Sequence, residues 1–220
     1  MTDKINKALV HLNRTLPLVK NQHDLSSRDA AVHIAILNSY AMNGRAPAPG
    51  ELSQVSESVS TSLATLQKLD LVVLDEAGQV RGAYPFTSEV RIHKVTIGKH
   101  MVHCMCALDS LAVSPMFQLP TQIHSQCIVS GAEIDIQQNI YAVINSDVNR
   151  EVYFAIDWGA ANGNLSCADS LCGYMDFIKG DVLAHQWQAK STEYEIFTLT
   201  EAIEFASRFF SPLVQHQRAA

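Results

Sequence analysis

Cys106 and Asp109 stand three residues apart in the run "CMCALDSLAV", residues 104–113. If that run is helical, the two side chains share a face, with Cβ atoms about 5–6 Å apart. A cysteine in the first turn of a helix meets positive backbone dipoles, which favour thiolate. A carboxyl beside a thiol can take up its proton and pass it on. Such a pair reads as a thiolate with a proton donor held beside it, a weak signal by itself. The plain alternative is packing, since cysteine is also a small apolar residue. Cys104, two positions before Cys106, would point elsewhere.

The rest of the chain must position that pair. Its 220 residues suit one large domain or two small ones. Apolar residues make up 47% and charged residues 17%, so a packed core is expected rather than disorder. The net charge of −6 disfavours a nucleic-acid partner, which would want a basic face. The start, "MTDKINKALVHLNRTLPLVK", shows no signal peptide, and no stretch reaches the roughly 18 apolar residues that a membrane span needs. Five cysteines, an odd number, argue against a disulfide framework and for a reducing cytoplasm.

Residues 1–20 read as a helix ending near Pro17. "LSSRDAAVHIAILNSYAMNG" reads as a helix capped by Ser26 or Ser27 and stopped by Gly44. A short helix over "ELSQVSE" and another over "VSTSLATLQKLDLV", capped by Ser60, follow the "APAPG" turn. "LVVLDEAGQVRGAYPFT" reads as two strands about a Glu-Ala-Gly turn. Helix, short helix, helix and hairpin is the order of a winged helix-turn-helix. Its second long helix carries Ser60, Thr61, Ser62, Thr65 and Gln67 but only one cation, Lys68, so DNA binding is disfavoured.

From residue 86 the period changes. "TSEVRIHKVTIG" alternates like a strand, with a turn at Gly98–Lys99. "TQIHSQCIVSGAEIDI", "QNIYAVIN" and "REVYFAIDW" are β-rich. "TLTEAIEFASRFFSPL" reads as a helix with a Thr198–Glu201 capping box and Pro212 near its end. The expected fold is α+β. A helical, winged-helix-like part spans residues 1–80, and a mixed, largely antiparallel β-sheet domain with helices spans 81–220 and bears the thiols.

"CALD", followed 18 positions later by Cys127 in "IHSQC", resembles the bacterial alkylmercury lyases, or organomercurial lyases. The glycine, aromatic and strand stretch "GAYPFTSEVRIHKVTIGKHMVHCMCALD" is similar to the family's approach to its cysteine helix. "SLCGYMDF", with Trp187 ten residues past Phe177, is similar to its second cysteine segment. The resemblance spans roughly residues 25–215.

It implies protonolysis of a carbon–mercury bond, releasing a hydrocarbon and Hg(II). Cys106 matches the first cysteine, Asp109 the aspartate and Cys172 the second cysteine. The three would carry the catalysis and hold the mercury of substrate or product. Cys127 matches a buried, structural cysteine, and Tyr84 would line the pocket. No organic cofactor is implied. The partners implied are a small organomercurial and, for the product, cellular thiols or a mercuric reductase. Gly173 departs from the pattern, standing where some members carry another cysteine. Cys104 and Cys167 are extra. Cys167 reads as an exposed bystander, a mercury shuttle or a competitor of Cys172.

Rival readings remain open on sequence. Cys104, Cys106, Cys127, Cys172 and His103 could bind Zn(II) or Cu(I) in a thiol-based metal-binding or sensing protein without turnover, although no paired Cys-x-x-Cys motif is present. A winged-helix metalloregulator is the third reading. His33, His93, His103, His124 and His185 read as packed or surface histidines, and Trp158 and Trp187 as packing residues.

Overall fold

Helical periodicity governs the first third of the chain in the computed structural model, which describes residues 2–215. Five helices follow one another: α1 (Thr2–Thr15), α2 (Leu18–His23), α3 (Ser27–Asn43), α4 (Pro49–Leu52) and α5 (Val59–Lys68). Ser26 caps α3, its hydroxyl accepting the Asp29 N–H at 3.1 Å, and Gly44 ends it at φ +71°. The buried Asp29 carboxylate also accepts from Ser62 Oγ at 2.6 Å, which ties α5 to α3. The expected cap at Ser60 lies instead inside α5, whose N-cap is Ser58.

Next come β1 (Val73–Leu74), β2 (Val80–Ala83), β3 (Phe86–Thr87), β4 (Lys94–Ile97) and β5 (His100–Cys104). The order helix, short helix, helix, hairpin is present, but the hairpin runs on through β3 into a larger sheet. The strand expected across residues 87–98 is cut short. Thr87 Oγ1 takes the Glu89 N–H and His103 Nδ1 takes the Arg91 N–H, so side chains occupy donors that a ladder would need. Val90 is left 86% exposed.

The second half holds α6 (Ala107–Phe117), β6 (Pro120–Gln126), β7 (Glu133–Asn139), β8 (Ala142–Val143), α7 (Ser146–Glu151) and β9 (Val152–Asp157). After a loop and a 3₁₀ turn at Leu171–Tyr174 come β10 (Met175–Lys179), α8 (Asp181–Gln188), β11 (Tyr194–Thr198), α9 (Leu199–Phe210) and α10 (Pro212–Gln215). One antiparallel sheet has eight strands in the order β1-β2-β3-β5-β4-β6-β7-β8, and a second has β10-β9-β11. A bridge from Cys127 to Phe177 links the two. The α+β fold with largely antiparallel sheets is as expected.

α6 sits at the centre. All of its residues are buried, packed among α9, β10 and the β4–β7 face of the large sheet. Pro115 interrupts it, leaving the Leu111 carbonyl without its helical donor. The buried Gln138 amide on β7 supplies one at 3.0 Å. Thr198 and Glu201 form the expected capping box at the start of α9, which braces α6. No helix among the described residues is long and apolar enough to cross a membrane.

Candidate active site

The turn from β5 into α6 carries the first two site residues. Cys106 is the N-cap of α6, with extended backbone, rather than a residue of its first turn. A cap side chain points back over the free N–H groups of its helix. The Cys106 thiol accordingly accepts the Asp109 N–H at 3.4 Å and donates to Asp109 Oδ2 at 2.8 Å. The two form a reciprocal cap in sulfur and carboxylate, built from a three-residue spacing.

The 3₁₀ turn after the 161–170 loop brings in the third. The sulfurs of Cys106 and Cys172 and a carboxylate oxygen of Asp109 all lie within 4.8 Å of one another. This is the only such group of potential metal ligands among the described residues, and all three are buried. Exposure is 1% for Cys106, 1% for Asp109 and 4% for Cys172, so the site is closed. Met175 Sδ, at the start of β10, lies 3.9 Å from Cys106 Sγ and adds a soft thioether to its wall.

Burial sets the proton inventory. It pushes the Cys106 thiol up to about 12, and the neighbouring Asp109 carboxylate adds to this. Desolvation thus opposes the pull of the helix dipole toward thiolate. Burial also pushes Asp109 up to about 7, against the pull of the Cys106 thiol. Cys172 is raised by its contacts with Cys106 and Cys167, then by burial. Burial thus disfavours charge on both thiols and on the carboxyl alike. Among the described residues no group bonds Asp109 Oδ1, although it is buried. One carboxyl oxygen thus receives from a thiol while the other is free to face a ligand.

Two residues that hold the second arm escaped the sequence reading or were given another role there. Tyr84 was expected to line the pocket. Its hydroxyl donates to Asp70 Oδ1 at 3.1 Å and accepts the Ala168 N–H at 2.8 Å. Asp70 Oδ2 accepts the Cys167 N–H at 2.9 Å. Asp70, at φ +51°, was not singled out at all. Only its positive φ, a local feature of the turn after α5, could have marked it.

The other thiols sort clearly. Cys104 is buried in β5, raised well above the ordinary thiol range by burial, and outside the ligand group. Cys127 is buried at the bridge between the sheets. Burial pushes its thiol up, but the Lys179 N–H at 3.3 Å and the Ser130 N–H at 3.4 Å outweigh that and lower it. Cys167 is not an exposed bystander: it is 2% exposed, with Sγ 3.6 Å from Cys172 Sγ.

The histidines stay outside the site. His93 bonds Ser125 Oγ at 2.8 Å and faces Asp176 at 3.4 Å. His103 meets the Arg91 backbone, His124 pairs with Asp135, and His33 and His185 bond Gln22 and the Asp181 carbonyl. Trp158 stacks on His11 and Trp187 on Tyr194, as packing residues do.

The family model described as alkylmercury lyase matches residues 86–211, more than half of the chain. Among solved structures, the crystal structure of the mercury-bound form of MerB2 superposes with a TM-score of 0.71 at 17% identity. The match covers 90% of this chain and 98% of that one. That likeness establishes a shared fold. No curated protein matches the sequence.

Proposed function

The chain belongs to the alkylmercury lyase family, and on that premise we propose that Cys106, Cys172 and Asp109 carry the cleavage of the carbon–mercury bond. The observation behind the assignment is the convergence of two sulfurs and one carboxyl within 4.8 Å, drawn from segments 63 residues apart between Asp109 and Cys172.

The contact between the Cys106 thiol and Asp109 supports the following order of events. An organomercurial R–Hg–X meets the Cys106 thiol. The S–Hg bond forms, X⁻ leaves, and the thiol proton passes across the 2.8 Å contact to Asp109. A carboxyl whose pKa lies near 7 can both accept and return that proton. Cys172 then adds as the second sulfur. Its electron donation weakens the bond from mercury to carbon, since soft sulfur bonds the soft metal strongly. The Hg–C electron pair takes the proton from Asp109, and R–H departs. The Cys172 proton moves to the vacated carboxylate, leaving Hg(II) bound by two thiolates. One proton and X⁻ leave to solvent, so charge and atoms balance. The protein's own contribution is orientation in a closed pocket plus positioned acid–base help, the latter worth about 100- to 10,000-fold.

Residues 1–80 act as a helical cover and residues 81–220 as the thiol-bearing catalytic part. A reducing cytoplasm suits five unpaired cysteines. Cellular thiols or a mercuric reductase would accept the product ion. No resident cofactor is needed for the steps above.

The test is methylmercury incubated with purified protein and excess thiol, with the headspace assayed for methane. Methane above the protein-free control is expected. Its absence, under conditions where an established lyase produces it, would leave a thiol-based mercury binder.

A further inference from the structure

Cys167 has no part in bond cleavage as described above, yet it is buried with its sulfur 3.6 Å from that of Cys172. We propose that Cys167 and Cys172 form a second Hg(II) site, to which the product ion passes from the Cys106–Cys172 pair. The proposal rests on the lyase reading for the origin of the ion, though not for the existence of the site.

The two sulfurs stand side by side, 3.6 Å apart, close enough for one ion to reach both. Two thiolates on Hg(II) lie on nearly opposite sides of the ion, farther apart than this, so one side chain must swing outward as the ion enters between them. Both cysteines are free thiols. Their loop is built to hold them together: the Cys172 N–H donates to the Cys167 carbonyl at 2.9 Å, and Asp70 Oδ2 anchors the Cys167 N–H at 2.9 Å.

The need for such a site follows from closure. A Hg(II) ion held by Cys106 and Cys172 has almost no solvent contact, since those residues are 1% and 4% exposed. Thiolates exchange on mercury by addition of an incoming sulfur before an old one leaves. An incoming thiol already in the pocket removes the need for a small thiol to enter. In the transfer, the Cys167 sulfur bonds mercury and loses its proton. The Cys106–mercury bond breaks, and the Cys106 sulfur takes up one proton through Asp109. Two S–Hg bonds are present before and after, no electron is transferred, and the first capture thiol is restored.

The transfer also moves the ion beside an exposed segment of irregular backbone. Residues 161–165, immediately before Cys167, are exposed and without helix or strand. Segments with few buried contacts open locally at the lowest cost. Ser166 and Asp169, on either side of Cys167 in sequence, line a cleft of about 300 Å³ together with Asp70 and Arg81. Transfer to an external thiol would begin there.

The test uses Hg(II) alone, without organomercurial. Cys106→Ser is loaded with one equivalent, and the sulfur ligands are counted by X-ray absorption at the mercury edge. Two sulfurs are expected, from Cys167 and Cys172. Cys106→Ser/Cys167→Ser should show one, and should yield mercury to glutathione roughly 100-fold more readily, the scale of losing one arm of a chelate. One sulfur in the single variant, or equal retention by both, overturns the site. Wild type and Cys167→Ala, whose small side chain avoids any new polar demand, are then compared for mercury transfer to glutathione after one methylmercury turnover. Slower transfer from Cys167→Ala supports the relay, and equal rates overturn it. Methane read on the same wild-type sample reports separately on the lyase reading.

Discussion

The Cys106 thiol and Asp109 hold each other by two contacts, thiol to Oδ2 at 2.8 Å and the Asp109 backbone N–H to sulfur at 3.4 Å. The second contact belongs to the backbone and survives any change of the carboxyl. Asp109→Ala should therefore keep the cap and the sulfurs while removing the proton carrier. Mercury binding measured by metal analysis is expected to stay near one equivalent, and methane release to fall about 100- to 10,000-fold. Loss of both together would assign Asp109 to building the thiol pair rather than to moving a proton.

The same carboxyl makes stability depend on pH. Its native pKa is raised from the ordinary 3.8 to about 7, by burial first. Between those values the native state keeps a proton that the unfolded chain has lost, so stability falls as pH rises. The contribution is full below about pH 4 and gone above about pH 7. Asp109→Asn cannot titrate. Urea midpoints of wild type, measured relative to this variant, should decline across that window and level off above it. A constant offset from pH 4 to 8 would mean that the carboxyl keeps its ordinary value.

Much of this site could be read before any coordinates, and the reasons are local. Cys106 and Asp109 are three residues apart at a helix start, so their contact follows from the local geometry of a helix cap. Thr198–Glu201 and Ser26 were legible for the same reason. Cys172 was reached only through family resemblance, because its approach to Cys106 depends on how β9, the long loop and β10 fold back over α6. A sequence states the dipole that favours a thiolate at Cys106 but not the desolvation that opposes it. The strand expected at 87–93 failed because the alternation of Val90 and Ile92 says nothing of His103, which takes a ladder donor from across the hairpin. Asp70 and Met175 act on the site through long-range packing and left no spacing to read.

Gln138 and Pro115 form a compensated pair inside the structure that carries the site. Pro115 removes a helical donor, and Gln138 returns one to the Leu111 carbonyl at 3.0 Å. Gln138 is 1% exposed, so water does not replace it readily. Gln138→Leu should cost about 1–3 kcal/mol in urea denaturation, the penalty of a buried polar group left unpaired. Pro115→Ala restores the helical N–H. In that background the Gln138→Leu penalty should shrink, a coupling that a double-mutant cycle reads directly. Equal penalties in both backgrounds would mean that the amide's other bond, to the Ile140 carbonyl at 2.8 Å, carries its contribution.

Tyr84 and Asp70 fix the loop that presents Cys172, and their removal should affect bond cleavage without affecting capture. Tyr84→Phe keeps the buried ring but strips the acceptor from the Ala168 N–H and the donor from Asp70 Oδ1. The unpaired groups should lower stability by about 1–3 kcal/mol. They also loosen the turn that holds the second sulfur, while Cys106 and Asp109 stay fixed to each other on α6. A misplaced second thiol slows the step that needs it, so kcat for methane release should drop about tenfold or more with KM little changed. Alkylation of Cys172 by iodoacetamide, mapped by mass spectrometry, should speed up in the same variant, whereas alkylation of Cys106 should not. A matched rise in reactivity at both thiols would mean that the whole pocket has opened, and that Tyr84 supports the fold at large rather than the placement of one sulfur.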